Sequence, residues 1–457
     1  MARIQVIDTP KHIGEEVIVK GWIRARRDHG KLIFIDLRDG SGLLQIVFNQ
    51  KVSQKAYDAA TELKNEYVVS ITGKVNKRPE NLINPKLKTG TVEVEATGLE
   101  VLSQAETPPF DMGGDVLNVE LPTLLDNRSL TLRHPKIASI FAVQAALVEG
   151  FRNAAEKLGA IEIVVPTIVA SSTEGGAELF SVDYYDKKTF LSQSPQLYKQ
   201  MLVPVFERVW TIAHAYRAEP SVTTRHLAET TQMDLELGFM TFDDLLDAFE
   251  EVAVNMVKHV EEKQGEVLED HGMKKVAIGK IPRLKVREAQ EIIFKEFGRD
   301  NRKEKDLTPQ DEVDICNWAH EKHGSDFVTI THFPTKAKPF YTMPDPKDPE
   351  YSLSYDLLFR GIEIMSGSQR INDYAKLMEN IKARGMNPRD FGMYLQAFQY
   401  GMPPEGGFSF GLERITMKLL GLGNVREASL FPRDMERVDQ RLSAYEEEKP
   451  AANKAKS

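Results

Sequence analysis

The sequence predicts an α+β chain in two parts: a small N-terminal β-barrel, then a larger domain of paired strands flanked by helices. Three observations carry this. Five short apolar or alternating runs and one helical run fill the first hundred residues. A long amphipathic period follows, with Ile140, Val143, Leu147, Phe151, Ala154 and Leu158 stepping by three and four until Gly159 stops it. Two β-branched runs, residues 209–213 and the alternating segment 233–239, then flank a polar loop, as paired strands do.

The barrel elements come in order. Residues 17–24 alternate and contain Trp22. Runs 32–37 and 43–48 are separated by the turn signal Asp39, Gly40, Ser41, Gly42. Residues 55–66 place Ala56, Ala59, Ala60 and Leu63 on one helical face, and 67–74 and 91–96 are further strands. Five strands with one helix suit an OB-fold, which presents a sheet face and loops to single-stranded nucleic acid. Pro108, Pro109, Gly113, Gly114 and Pro122 then break any long period, so residues 103–134 are expected to be a linker. After the amphipathic helix, a strand at 161–165 runs into Pro166, which suits a sheet edge or an interface. Residues 241–330 are mainly helical by pattern, and 436–457 form a charged tail.

Composition narrows the class. At 457 residues the chain can hold two domains and a large core. It has no run of about 18 apolar residues and no apolar stretch at its start, so neither a membrane span nor a secretory signal is expected, and the cytosol is the expected compartment. The lone Cys316 excludes an intrachain disulfide framework and a multi-cysteine zinc site, and is expected in the core. The net charge of −9 argues against a generic nucleic-acid binder. It is uneven: residues 1–100 hold 16 Lys and Arg against 13 Asp and Glu, and the remainder 43 against 55. Nucleic acid would meet the first part more comfortably.

Two stretches carry chemistry. The loop between the paired strands holds Arg217, Glu219, Arg225 and His226, with Lys199 before it and Asp234 and Glu236 after it. That inventory offers cations for phosphate, a carboxylate for an ammonium group and a lysine for a second acid. A surface hairpin with ordinary salt bridges would read the same way. Further on, Glu363 and Ser366 are three apart and Arg370 follows by four; carboxylate and hydroxyl oxygens there suit Mg²⁺ held mainly by phosphate and water.

The segment AYRAEPSVTTRHLAE resembles motif 2 of the class II aminoacyl-tRNA synthetases, GMPPEGGFSFGLERITMKLLG resembles motif 3, and the Pro166 region resembles motif 1. GWIRARRDHGKLIFIDLRDGSGLLQIV is similar to the anticodon-binding domain of the aspartyl members. The resemblance runs over residues 21–434 and is strongest to the aspartyl-tRNA synthetase family. It implies an OB-fold anticodon-binding domain at 1–102, a hinge at 103–134 and, at 135–435, a class II antiparallel-sheet catalytic domain flanked by helices.

The same resemblance implies the activity: ATP-dependent activation of L-aspartate to aspartyl-AMP, then transfer to tRNA-Asp, with tRNA-Asn left open as a second acceptor. It assigns the α-phosphate to Arg217, adenine to Glu219, the outer phosphates to Arg225, His226 and Arg414, and Mg²⁺ to Glu363 and Ser366. Glu174, in the glycine loop 172–178, and Asp234 would face the substrate ammonium, with Gln196 nearby; Lys199 and Arg370 would pair with its side-chain carboxylate. Arg27, Phe34, Gln45 and Glu93 would read the anticodon, although Phe34 by itself also reads as a plain core residue. A homodimer is implied through motif 1. One departure stands out: the family usually has histidine after the paired prolines of motif 3, and this chain has Glu405, which could repel the substrate or add an ammonium or metal contact. Asparaginyl-tRNA synthetase is the nearest alternative, which Lys199 argues against; a non-catalytic RNA-binding paralogue is a more distant one.

Overall fold

The structure, a computed structural model, describes residues 2–170, 179–218 and 223–443. The chain divides into two compact units, 1–124 and 125–457. The residues expected as a linker are thus shared between them.

Alternation builds the first unit. Strands β1 (Glu16–Asp28), β2 (Leu32–Asp39), β3 (Gly42–Asn49), β4 (Val68–Lys77) and β5 (Val92–Ser103) close a barrel in the order β1-β2-β3-β5-β4. Every second residue faces inward, so Ile33, Ile35, Leu37, Leu44, Ile46, Val92 and Val94 fill the interior. Helix α1 (Gln54–Thr61) is capped by Ser53, whose hydroxyl accepts from the Ala56 N–H, and is shorter than its apolar period suggested.

Helix α2 (Leu121–Asp126) spans the boundary between the units, and in the second unit α3 (Arg128–Thr131) leads into α4 (Pro135–Lys157). Arg128 is buried, and its guanidinium donates to the carbonyls of Glu427, Ser429 and Leu430, some 299 to 302 residues further on. An eight-stranded sheet follows, in the order β12-β13-β16-β17-β18-β11-β10-β6. Its strands are β6 (Ile161–Glu162), β10 (Arg208–Tyr216), β11 (Glu229–Gly238), β12 (Arg283–Lys285), β13 (Phe327–Thr331), β16 (Ser354–Phe359), β17 (Ile362–Gln369) and β18 (Glu405–Gly411). Only the outermost pairs, β6 with β10 and β12 with β13, are parallel. The remaining strands, β7 (Ile168–Val169), β8 (Ser181–Tyr184) and β9 (Lys187–Leu191) and the hairpin β14 (Pro344–Asp345) with β15 (Asp348–Ser352), form two small sheets. The other helices are α5 (Gln196–Phe206), α6 (Phe242–Asp270), α7 (Val286–Phe297), α8 (Pro309–His323), α9 (Tyr374–Ala383), α10 (Gly392–Gln399) and α11 (Leu412–Leu419).

Helix α6 begins at a capping box between Thr241 and Asp244 and packs with α4 against one face of the sheet. Within the mainly helical stretch 241–330, α6 supplies much of the core and β13 is a strand of the main sheet. The strand expected at 161–165 pairs through Ile161 and Glu162, the Ile163 N–H donates to the Trp210 carbonyl at 2.8 Å, and Val164 is 98% exposed. Between the paired prolines of residues 403–404 and helix α11 lies strand β18. Its glycines read as a turn, but they permit a close approach: a Cβ on Gly407 would sit 2.1 Å from Glu236 Oε2 and 2.2 Å from the Leu235 carbonyl oxygen. Cys316 is buried on α8, and burial pushes its thiol up to about 12, which suits a packed side chain rather than a nucleophile. No helix among the described residues is long and apolar enough to cross a membrane.

Candidate active site

The face of the sheet opposite α4 and α6 carries the site. Along β11, Met233, Leu235 and Leu237 enter the core, so Gln232, Asp234 and Glu236 fall on the other face. Strand register extends that face sideways. Thr211, Asp234, Ser409, Ser366 and Asp356 are successive cross-strand partners, a polar row over five strands. Glu363 and Ser366 should face opposite ways on a regular strand, since their separation is odd. The pairing shifts between Leu357 with Met365 and Leu358 with Glu363, leaving Ile364 as an extra residue. This β-bulge turns both side chains toward one cleft.

That cleft, of about 240 Å³, gathers the described residues that sequence reasoning assigned to this region: Gln196 and Lys199 from α5, Arg217, Arg225 and His226 from the loop, Asp234, Glu363, Ser366, Arg370 and Arg414. Glu174 and Glu219 lie outside the described residues.

The deep end is a closed ionic network. Lys199 Nζ lies 2.7 Å from Asp234 Oδ1 and 3.1 Å from Glu236 Oε2, and both carboxylates are fully buried. Arg370 Nε donates to Glu236 Oε1 at 2.8 Å, and its Nη2 donates to the Gly407 carbonyl at 2.9 Å and to Gln196 Oε1 at 3.2 Å. Arg370 Nη1 donates to Ser368 at 2.5 Å, and Ser409 donates to Asp234 Oδ2 at 3.0 Å. Burial alone would raise the Glu236 carboxyl; Arg370 and then Lys199 more than offset it and hold it well below the usual carboxylate range. Lys199 and Asp234, assigned to opposite ends of the substrate, are thus bonded to each other. Glu405, expected beside the substrate, is instead fully buried and does not line the cleft; its Oε1 accepts from Gln200 Nε2 at 2.7 Å.

The mouth is cationic and looser. Arg217 is exposed, and its guanidinium pairs with no described residue. Arg225 pairs with Glu312 of α8, whose carboxyl burial raises to about 7 against the pull of that arginine. Arg414, near the start of α11, donates to the Glu363 carbonyl at 3.1 Å and lies 3.7 Å from its carboxylate. Lys338 Nζ donates to both oxygens of Asp356 at 3.2 and 3.0 Å. Burial pushes Asp356 up, to about 6, with Lys338 opposing and Glu363 adding to the rise.

On the barrel, Phe34, Gln45 and Glu93 stand on the outward face, alternating with core residues, and Arg27 is exposed near the end of β1. Arg27 and Phe34 are cross-strand partners, and Gln45 donates to Glu93 at 2.8 Å. Phe34 is outside the barrel core and meets the edge of His29, ring centroids 5.5 Å apart. Arg27 holds Asp36 through two bonds of 2.7 and 2.8 Å.

Residues 120–435 match the family of class II tRNA synthetases (D, K and N), and residues 17–102 match an OB-fold nucleic acid binding domain. The chain belongs to the class II tRNA synthetases. It is 40% identical to an aspartate–tRNA(Asp/Asn) ligase of Thermus thermophilus, across 95% of this chain and 99% of that one. It is 39% identical to an aspartate–tRNA(Asp) ligase of Pyrococcus horikoshii, across 93% and 96%. Among solved structures, an asparaginyl-tRNA synthetase of Pyrococcus horikoshii complexed with asparaginyl-adenylate is similar, with a TM-score of 0.88, 31% identity and 96% and 99% coverage.

Glu236, named with Asp234 in the sequence but given no role of its own, stands two residues further along an alternating strand and joins the same network. Several other residues around the cleft of this synthetase escaped sequence reasoning. Gln200 was within reach, four residues after Gln196 on a helix; the two side chains bond at 2.9 Å. Ser409 and Asp356 arrive through strand register, and Lys338 and Tyr341 through the path of the chain between β13 and β16, none of which a local pattern encodes.

Proposed function

We propose that this synthetase is an aspartate–tRNA ligase. An α-carboxylate oxygen of L-aspartate attacks the α-phosphorus of ATP, and the bond to pyrophosphate breaks, giving aspartyl-AMP. A terminal ribose hydroxyl of tRNA then attacks the acyl carbon, and AMP leaves. Neither step requires a protein nucleophile, so catalysis is positioning and charge stabilisation.

The observation that carries this reading is the buried pair Lys199 and Arg370 at the closed end of the cleft. Lysine has three N–H donors, of which two meet Asp234 and Glu236. Arg370 has one Nη1 N–H left beyond its bond to Ser368. The two spare donors suit the two oxygens of an aspartate side chain. Asparagine would turn an N–H toward one of them, which supports aspartate over asparagine. The same feature argues against the asparaginyl reading that the similar solved structure invites, and the intact ionic network argues against a non-catalytic role.

Asp234, Glu174 and Gln196 take the substrate ammonium side. Arg217 stabilises the α-phosphate, Glu219 recognises adenine, and Arg225, His226 and Arg414 hold the outer phosphates. For Arg225 this means exchanging Glu312 for phosphate. Among the described residues no three acidic, histidine or cysteine ligands converge on one point. A Mg²⁺ ion that keeps several waters and binds through one or two carboxylates plus phosphate still fits Glu363, Ser366 and the adjoining Asp356. Bound there, it would neutralise charge on the phosphates. Arg27, Phe34, Gln45 and Glu93 read the anticodon by stacking and edge contacts. Exposed Ile161 and Val164 beside Pro166 support a homodimer through this edge of the sheet. The compartment proposed is the cytoplasm.

The test is aspartate charging of purified tRNA-Asp and tRNA-Asn side by side, with asparagine as control. Aspartate on tRNA-Asp alone marks a discriminating enzyme, and aspartate on both marks a non-discriminating one. Asparagine attachment, or none at all, overturns the proposal.

A further inference from the structure

Glu405 is the first residue of β18 and is fully buried behind the deep end of the cleft. One oxygen, Oε1, accepts from Gln200 Nε2 at 2.7 Å. The other, Oε2, is buried and has no N–H or O–H donor among the described residues. What faces the Glu405 carboxyl is the carboxylate of Glu236, which Lys199 and Arg370 already hold. Two ionised carboxylates in contact there would set three buried anions (Asp234, Glu236 and Glu405) against two cations. A proton on Glu405 Oε2 removes the conflict: the naked oxygen becomes a donor, Glu236 becomes its acceptor, and the count becomes two against two.

We propose that Glu405 is a positioning residue of the amino-acid pocket, present as a neutral carboxylic acid whose Oε2–H donates to Glu236 while its Oε1 anchors Gln200. Both links converge on Arg370. Glu236 accepts from Arg370 Nε at 2.8 Å. Gln200 Oε1 accepts from Gln196 Nε2 at 2.9 Å and from the Tyr394 hydroxyl at 3.1 Å, and Gln196 Oε1 accepts from Arg370 Nη2 at 3.2 Å. The Glu405 backbone joins in, its carbonyl accepting from the Arg370 N–H at 2.9 Å. Glu405 thus fixes the orientation of the guanidinium from behind without touching the substrate. The charged and titratable groups facing it are Glu236 from β11, Arg370 after β17, Tyr355 from β16 and Tyr394 from α10. Burial first, and then Glu236, push its carboxyl well above the ordinary range, with Arg370 and Gln200 opposing.

This role rests on the cleft being the aspartate pocket, so the test has one arm that depends on aspartate and one that does not. In aspartate-dependent ATP–pyrophosphate exchange, Glu405→Ala takes one donor from Glu236 and leaves the Gln200 Nε2 without its acceptor. The expected result is a KM for aspartate raised about ten- to hundred-fold, with kcat far less affected. Glu405→Gln keeps one donor and one acceptor in the same places and should restore most of the lost affinity. If Glu405→Gln is as damaged as Glu405→Ala, or Glu405→Ala binds aspartate normally, the proposal fails. Should Glu405→Ala not fold, Gln200→Ala cuts the same relay and carries the same KM expectation.

The second arm is the infrared spectrum of the unligated protein at neutral pH. The carbonyl stretch of a protonated carboxyl should be present in the wild type and lose one component in Glu405→Gln. Unchanged spectra would overturn the neutral acid whatever the substrate. A wild type that ignores aspartate but shows the band loss would instead overturn the aspartate reading and leave the neutral acid standing.

Discussion

Replacing Lys199 with alanine removes a cation that bonds both Asp234 and Glu236. The ammonium is 2% exposed and its partners are fully buried, at 2.7 and 3.1 Å. At an effective dielectric of about 20, each contact is worth roughly 5–6 kcal/mol before desolvation. Desolvation takes back most of this, yet removing one partner of a buried pair still costs about 3–5 kcal/mol, because a buried charge is left without compensation. In Lys199→Ala two buried carboxylates share Arg370 alone, and an incoming aspartate brings a further negative charge. We expect aspartate activation to lose about 2–4 kcal/mol, or roughly 30- to 900-fold in kcat/KM. The assay is aspartate-dependent ATP–pyrophosphate exchange, on protein whose melting curve shows it folded. The double variant Lys199→Ala with Asp234→Asn restores the charge balance, so it should recover stability without recovering aspartate activation. A folded Lys199→Ala within two-fold of the wild type would refute both the pairing and its role in selectivity.

Three further outcomes are expected. Phe34→Ala should weaken tRNA charging by about 1–3 kcal/mol, the worth of one stacked base, while amino-acid activation stays intact; equal charging by mutant and wild type would remove Phe34 from the anticodon surface. Gly407→Ala places a Cβ 2.1 Å from Glu236 Oε2, so it should lose about 3 kcal/mol or more in denaturant unfolding. An unchanged midpoint would contradict the close approach of β18 to β11. The third concerns pH. The folded state holds the Glu405 proton more tightly than the unfolded chain does, so the wild type loses stability as pH rises above the ordinary glutamate value of about 4.3 and on toward the raised folded value. Glu405→Gln has no such proton, and its stability relative to the wild type should grow by about 1 kcal/mol per pH unit over that window. Parallel stability curves would contradict the raised carboxyl.

Where burial on one face fixes a period, local pattern sufficed. The barrel strands and the pair β10 and β11 alternate, so the inward set and the site-facing set are readable from spacing alone. The same reasoning failed at β18, where Gly406 and Gly407 resemble a turn; what selects glycine there is a neighbouring strand that leaves no room for a Cβ. Glu363 and Ser366 were picked for their chemistry, but their shared orientation depends on the bulge at Ile364, which no pattern announced. Asp356 and Ser409 join the site through cross-strand register, a tertiary property. Glu405 was singled out as an oddity beside the substrate, and its burial behind Gln200 and Glu236 follows only from where β18 starts.

Arg128 ties its guanidinium to carbonyls 299 to 302 residues further along the chain, and Asp126 is held by Arg437 and Arg441 beyond them. This has a consequence for biosynthesis. The barrel has all its strands once residue 103 has been made, so it can fold early in translation. The second unit cannot close in that order, because its opening helices wait for residues about three hundred positions further on. A nascent chain ending before Glu427 leaves the Arg128 cation without the carbonyls that compensate its burial. Synthesis of residues 427–441, rather than of the strands around the cleft, therefore sets the moment at which the catalytic unit can complete itself.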